Sequence, residues 1–269
     1  MTKKLKMASI LVYLVFGFFA AWWVLLRLNK APSSLSGDSF SDTYGVAALI
    51  GGLIGLRIAK DWGGFKSQMG KALSFFSFGL LAQAFGQLVY SMYFFFLHRD
   101  IPYPSLGDIG YFGSVLLYIY AIYTMLKITG AHLNVGTIGK RLFVLVIPLA
   151  LLVTSYYIFL RGYTYSSPLA SFLDFGYPFG EAIYISIAII TFALSRKLLG
   201  GIMRGRLLFL LFALLIQYIA DFSFLYQDSR NTWTAGGIND FIYLVAYFLM
   251  GLALLNIAGA YREIRTGDD

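Results

Sequence analysis

The chain has 269 residues, of which 59% are hydrophobic, 18% aromatic and only 13% charged. Soluble domains carry about 25% charged residues, so this composition excludes a soluble globular protein and indicates an integral membrane protein. The chain has no cysteine, which excludes disulfides, thiolate metal sites and cysteine nucleophiles.

The first apolar run follows the basic start MTKKLKM. A signal peptide begins in the same way, but its apolar core is about 7–15 residues long. This run is about 20 residues long, enough to cross a bilayer, and ends in Trp22, Trp23 and Arg27 without a small-residue cleavage site. These features favour a retained first helix, with a signal peptide as the alternative.

Seven further apolar runs have the length of membrane helices. The second run is the weakest, because it is short and rich in glycine, although small residues also suit close helix packing in lipid. The sequence predicts an all-α integral membrane protein, an eight-helix transmembrane bundle with one polytopic domain over 1–269. The predicted spans are about 7–27, 44–60, 72–97, 108–127, 142–160, 173–195, 206–227 and 240–261.

Basic residues alternate between the two ends of these spans. Of the 21 Lys and Arg residues, 16 fall on one side, and the other side has only Arg27, Lys30, Arg99, Arg161 and Arg230. The positive-inside rule then places both termini in the cytoplasm of a plasma-membrane protein. The net charge of +8 is therefore explained by topology, and no nucleic-acid partner is indicated.

The acids follow the opposite pattern, and nine of the thirteen fall in or beside the predicted external half: Asp38, Asp42, Asp100, Asp108, Asp174, Glu181, Asp221, Asp228 and Asp240. Several belong to an acid-x-x-tyrosine pattern. The copies begin at Asp108, Asp174, Glu181 and Asp240. Residues i and i+3 share a helix face, so each tyrosine is expected on the face of its acid.

The hairpin that contains Gln83, Gln87 and Asp108 resembles the one that contains Gln217, Asp221 and Asp240. This similarity predicts repeated two-helix units, which the middle hairpin fits less well. Because acids at membrane depth avoid lipid, we expect an outward-facing, tyrosine-lined pocket. The candidate ligand-binding residues are Gln83, Gln87, Asp108, Tyr111, Asp174, Glu181, Tyr184, Asp221, Asp240 and Tyr243.

Helix capping is the alternative role for some of these acids. Asp108 follows Ser105 in an arrangement close to a capping box, Asp240 follows Asn239, and Asp174 also fits the end of a loop. Acids are favoured in the first turn by the helix dipole. Glu181 and Asp221 lie within apolar helix, which favours a functional role or a buried hydrogen-bonded pair.

The segments PYPSLGDIGYFGSVLLYIYAI, FGYPFGEAIYISIAI, ADFSFLYQ and GGINDFIYLVAYFLMGLAL resemble the N-terminal membrane region of some bacterial and archaeal histidine kinases and diguanylate cyclases, over about 80–250. Gly107 replaces the usual alanine of that pattern, and Glu181 replaces an aspartate. The resemblance implies a multi-helix sensory module. No cytoplasmic output domain is present in this sequence, so we expect a cytoplasmic kinase or cyclase, or another membrane subunit, as partner.

Three function classes stay open. The first is a sensory or ligand-binding module that alters helix packing. The second is a transporter or channel for a cation or small polar solute, which would need polar lining in the inner helix halves too. The third is a membrane enzyme acting on lipid, but no H-E-x-x-H or G-x-S-x-G motif is present.

No cofactor is indicated by the sequence. Every lysine lies near a predicted membrane surface or in a loop, which disfavours a retinal Schiff base. The two histidines, His98 and His132, fall in predicted loops, so no haem or zinc ligand set is expected.

The charge distribution makes the topology testable. A reporter fused after Asp269 should stay on the cytoplasmic side, because the basic loops are retained there. Activity of reporters specific for either side would measure this. An external C-terminus would reverse the orientation of every proposed site residue.

Overall fold

A computed structural model describes residues 3–30, 34–99, 101–130, 136–195 and 201–266. Within these residues the chain is helical apart from its connections, and π-helical turns extend α4 to 97 and α6 to 160. The α-helices are α1 (Lys3–Leu28), α2 (Leu35–Thr43), α3 (Val46–Asp61), α4 (Gln68–Met92), α5 (Gly107–Ile128), α6 (Ile138–Ser155), α7 (Pro168–Ser195), α8 (Gly201–Asp228) and α9 (Ile238–Thr266).

The described part of the chain contains eight helical spans long and apolar enough to cross a membrane, as predicted. Several boundaries lie four or more residues from the predicted ones, and two of them bear on the surroundings of the candidate site. The second span begins at Leu35 instead of about 44, because Ser34 caps an additional helix, α2, by accepting a hydrogen bond from the amide of Gly37 at 3.2 Å. α7 begins at Pro168 instead of about 173, so Asp174 lies inside this helix and Glu181 lies near its middle.

Six helices form a closed ring. In order around the ring, α3 packs on α4, α4 on α5, α5 on α7, α7 on α8, α8 on α9, and α9 again on α3. The largest fully buried side chains include Tyr118 of α5, Tyr184 of α7 and Tyr247 of α9. The core of the ring thus contains several large tyrosines among leucine, isoleucine and alanine side chains.

α1 and α6 lie outside this ring. α1 packs against α9, α3 and α2, whereas α6 packs against α7. Both expose long apolar faces, as shown by Leu14 on α1 (66% exposed) and Leu145 on α6 (66% exposed). An apolar exterior of this kind suits contact with hydrocarbon.

The two ends of the bundle differ in charge. We call the end with loops 98–106, 161–167 and 229–237 the acid end, because Asp108 and Asp240 lie there at the starts of α5 and α9. At the opposite, basic end, Arg206 of α8 pairs with Glu263 of α9 at 2.7 Å. Four residues of the predicted charge pattern or loops, Asp100, His132, Arg196 and Lys197, lie outside the described residues.

Glycines allow α4 and α5 to approach closely. A Cβ atom at Gly110 would lie 2.7 Å from the backbone nitrogen of Gly86, and also against the carbonyl oxygen of Ala82. Gly79 of α4 likewise leaves room for the ring of Tyr118 of α5, which a Cβ at Gly79 would overlap. Because the obstruction at Gly110 is backbone, no side-chain movement can relieve it.

Replacing Gly110 with alanine should therefore separate α4 from α5. We expect a loss of about 1–3 kcal/mol of stability, the usual cost of overpacking, measured by unfolding in detergent. Gly113→Ala on the same helix is the matched control, because nothing lies within 4 Å of the added Cβ. Equal stability of the two variants would contradict the close contact.

Candidate functional site

Asp221 of α8 is the most highly connected acid inside the ring. The Tyr184 hydroxyl of α7 donates to Oδ2 at 2.8 Å, and the Gln217 amide, one turn earlier on α8, donates to Oδ1 at 2.9 Å. Tyr243 of α9 is also within hydrogen-bonding reach. Donors from two helices, α7 and α8, therefore converge on one buried carboxylate, with a tyrosine of α9 nearby.

Glu181 lies next to Asp221 and is buried, with 4% of its surface exposed. No described residue hydrogen-bonds to its carboxyl group, and none of the described basic residues forms an ion pair with Glu181 or Asp221. Gln217 is fully buried, and its Oε1 has no hydrogen-bond partner in the same part of the structure. Two acids and an unused amide oxygen thus occupy one region without a described basic partner.

Gln83 joins α4 to two other helices. Its Nε2 donates to Ser114 Oγ of α5 at 2.8 Å, and its Oε1 accepts the Tyr247 hydroxyl of α9 at 3.1 Å. Since Gln83 is 4% exposed, these bonds satisfy an amide that burial would otherwise make costly.

Gln87 makes the corresponding connection closer to the acid end. Its Nε2 donates to the Ser41 carbonyl of α2 at 2.7 Å, and its Oε1 accepts the Tyr111 hydroxyl of α5 at 3.4 Å. Gly45, between α2 and α3, leaves room for this side chain, since a Cβ there would lie 2.6 Å from Gln87 Cγ. The break between α2 and α3 therefore packs directly on the glutamine.

Asp108 both caps its helix and bonds to α7. Its Oδ2 accepts the backbone N–H of Ser105 at 2.7 Å and the Ser105 hydroxyl at 3.2 Å, a contact of the capping-box type. Its Oδ1 accepts the Tyr177 hydroxyl at 2.9 Å. Capping is thus part of its role, together with a tie between α5 and α7.

Asp240 occupies the equivalent position at the start of α9. Its Oδ2 accepts the Gly236 backbone N–H at 2.8 Å, and Ser41 and Trp233 also lie within hydrogen-bonding reach. With 2% of its surface exposed, Asp240 is a buried cap that links α9 to α2.

Asp174 is not part of the ring interior. It accepts the exposed Tyr103 hydroxyl at 2.7 Å, and no described contact joins it to Asp221 or Gln83. Partial burial and this hydrogen bond raise the pKa of the Tyr103 hydroxyl. The loop before α5 is therefore attached to α7, away from the other candidate residues.

The tyrosines of the acid-x-x-tyrosine copies bond to partners outside their own motif. Tyr111 donates to Gln87, Tyr177 to Asp108 and Tyr184 to Asp221. The acid and tyrosine of a copy share a face, but a hydroxyl at the end of a long side chain reaches the next helix. The expected pairing within each copy is replaced by pairing between helices.

Gln83, Gln87, Tyr111, Glu181, Tyr184, Asp221 and Tyr243 thus belong to a polar cluster in the ring, and we call them the ring cluster. Asp108 and Asp240 lie at its edge. Hydrogen bonds and ring contacts connect most of these side chains, and the outward-facing pocket stays a prediction. A cavity lined by apolar groups lies between α1, α3 and α9.

Three buried tyrosines were not predicted from the sequence: Tyr44, Tyr118 and Tyr247. Tyr247 stacks near Tyr44 with ring centroids 6.0 Å apart, and the Tyr118 hydroxyl lies 3.8 Å from Met250 Sδ. For two of them, the spacing from a predicted tyrosine on the same helix could have identified the residue. Tyr118 follows Tyr111 by two helical turns, and Tyr247 follows Tyr243 by about one turn.

A metal centre of the usual kind is not present among the described side chains, which contain no group of three or more His, Cys, Asp or Glu residues placed to bind a metal. The donor atoms of the ring cluster are carboxyl, amide and hydroxyl groups. Such a set binds protons, small cations or hydrogen-bonding solutes.

No family model matches the sequence, and no curated protein or solved structure matches it either. The resemblance to kinase and cyclase membrane regions therefore stays a prediction from the residues quoted above.

Tyr184→Phe tests the central bond directly. Removing the donor to Asp221 should lower stability by about 1.5–3 kcal/mol, the value for hydrogen bonds to charged groups, as measured by unfolding in detergent. Tyr218→Phe is the control, because the Tyr218 hydroxyl makes no hydrogen bond with the described residues. A Tyr184→Phe protein as stable as this control would show that the bond adds no stability.

Proposed function

We propose that the chain is a plasma-membrane sensory or ligand-binding module, with both termini cytoplasmic, in which the ring cluster binds the ligand. Eight helices long and apolar enough to span a bilayer support the membrane assignment. The distribution of Lys and Arg between the two ends supports the orientation. In this orientation the acid end faces outward.

The observation that carries the proposal is the buried pair Glu181 and Asp221, which has no basic partner among the described residues. Buried charge without compensation is costly, and ionisable residues at membrane depth commonly serve function. A purely structural role would be met with less cost by neutral amides, such as Gln83 and Gln87 on α4.

The same bonds give the cluster a route to helix packing. Asp221 is held by Tyr184 on α7 and lies close to Tyr243 on α9, so a change of charge beside it alters two helix interfaces at once. α8 and α9 then run to the basic end, where Arg206 and Glu263 join them. A ligand that binds one packing state more tightly would shift the population of that state.

The cytoplasmic partner in this proposal is a histidine kinase, a cyclase or another membrane subunit. The basic end of α8 and α9 is the surface that such a partner would contact. The expectation rests on the sequence resemblance, and the continuity of both helices from cluster to basic end supports it.

Repeated hairpins are part of the same proposal. In the hairpin of α4 and α5, Tyr111 donates to Gln87. In the hairpin of α8 and α9, Tyr243 lies within reach of Asp221. Gln87 and Asp221 are equivalent in the sequence comparison, as are the two tyrosines, so each unit places a tyrosine near an equivalent polar side chain.

Transport is less well supported than ligand binding, because a transport path would need polar side chains in the helix halves toward the basic end. Ser77 bonds to the Leu73 carbonyl of its own helix at 2.7 Å and Thr124 to that of Tyr120 at 2.9 Å, although the buried Thr191 hydroxyl has no partner among the described residues. Side chains satisfied in this way do not form a polar path. An enzyme also lacks support, since His98, the described histidine, is exposed in the loop after α4 and the sequence contains no H-E-x-x-H or G-x-S-x-G motif.

Asp221→Asn tests the proposed ligand site. We expect the variant to fold, and its unfolding midpoint to respond about tenfold more weakly to added Na⁺ or K⁺, or to show its pH response at least about one unit lower, because a positive ligand loses a negative neighbour. Melting curves in detergent over pH and salt measure this.

The control is Asp228→Asn, which removes an exposed acid from the same helix. It should respond as the wild type does. An unaltered cation and pH response in Asp221→Asn would remove the ring cluster as the ligand site.

A further inference from the structure

The hydrogen-bond donors around the acid pair are unequally distributed. Asp221 accepts from Tyr184 and Gln217 and lies within reach of Tyr243, whereas Glu181 receives no donor from the described residues. An ionised carboxylate is acceptor-only and is stabilised by several donors. This distribution of donors suits an ionised carboxylate at Asp221. It does not suit an ionised carboxylate at Glu181.

Gln217 supplies an independent observation. Its side chain is fully buried, its Nε2 is fixed on Asp221 at 2.9 Å, and its Oε1 has no donor among the described residues. Turning the amide over would place its oxygen against the Asp221 carboxylate. This part of the ring therefore contains a buried acceptor without a described donor. A protonated carboxyl group has an O–H to donate and would meet that need, whereas an ionised one would not.

We propose that the ligand of the ring cluster is a proton and that Glu181 carries it, while Asp221 remains ionised. This inference rests on the proposed function. A proton on Glu181 gives the two interacting acids a single negative charge instead of two. It also supplies an O–H donor to a region that contains the unsatisfied Oε1 of Gln217. Release of the proton would set two like charges side by side in the ring and favour a different packing of α7 on α8.

The other ionisable groups that face the pair are neutral or acidic. Tyr218 of α8 lies beside both acids, and the remaining neighbours interact with Asp221 from α7, α5, α9 and the junction of α2 with α3: Tyr184, Tyr118, Tyr243, Tyr247 and Tyr44. No described basic side chain pairs with Glu181. The proton thus has no competing positive charge in the cluster.

The composition of the chain allows a direct test. Glu181 and Glu263 are its only glutamates, and Glu263 is paired with Arg206. In infrared spectra of the whole protein at neutral pH, we expect the C=O stretch of a protonated carboxyl group. Labelling with ¹³C-carboxyl glutamate should move this band to lower frequency, Glu181→Gln should remove it, and the control Glu263→Gln should keep it.

Absence of a protonated carboxyl band at neutral pH would overturn the inference, and so would a band that only aspartate labelling moves. The label is read in the wild-type protein, so the result does not depend on a variant that folds. If the ring cluster binds a cation other than a proton, the unfolding midpoint of Asp221→Asn still loses its response to that cation, but the wild-type protein lacks the glutamate band. The two failures are thus distinguishable.

Discussion

The organisation of the ring depends on the desolvation of Asp221. A carboxylate buried among apolar helices is stable only if its oxygens receive hydrogen bonds, and here the donors come from its own helix and from the helix on one side, with a tyrosine of the other side in reach. This requirement fixes the rotation of α7 and α8 about their axes. Tyrosine suits the task, because its ring packs as a large apolar group and its hydroxyl reaches a neighbouring helix.

The two halves of the ring meet this requirement in different ways. On α4 the buried polar groups are amides, Gln83 and Gln87, which carry no charge and satisfy themselves through both oxygen and nitrogen. On α7 and α8 the corresponding groups are acids, which change charge. If the hairpins are repeats, one copy has neutral side chains that form a rigid frame, and another has titratable groups. The scaffold would then be separate from the responsive element.

Much of this architecture follows from the sequence, since hydrophobic length gives the eight spans and acid spacing identifies most of the ring cluster. The features that could not be predicted from the sequence are those that depend on contacts between helices. The helix at Leu35–Thr43 is too polar to be recognised as part of a span, and Ser34 and the Gln87 contact stabilise it. The partners of Tyr177 and Tyr184 lie on other helices, and local spacing cannot specify which helices become adjacent. Asp174 has the same motif as Asp108 but faces the surface.

The closure of the ring by α9 on α3 has a consequence for how the protein is made. α9 leaves the ribosome after α1 to α8, yet it supplies Tyr247 to Gln83 and brings Tyr243 close to Asp221. Until then the earlier helices form an open arc whose polar side chains lack these donors, and α1 has yet to pack on its main neighbour, α9. Docking of α9 therefore closes the ring only after the other described helices have been made, and until then the insertion machinery must shelter an incomplete bundle.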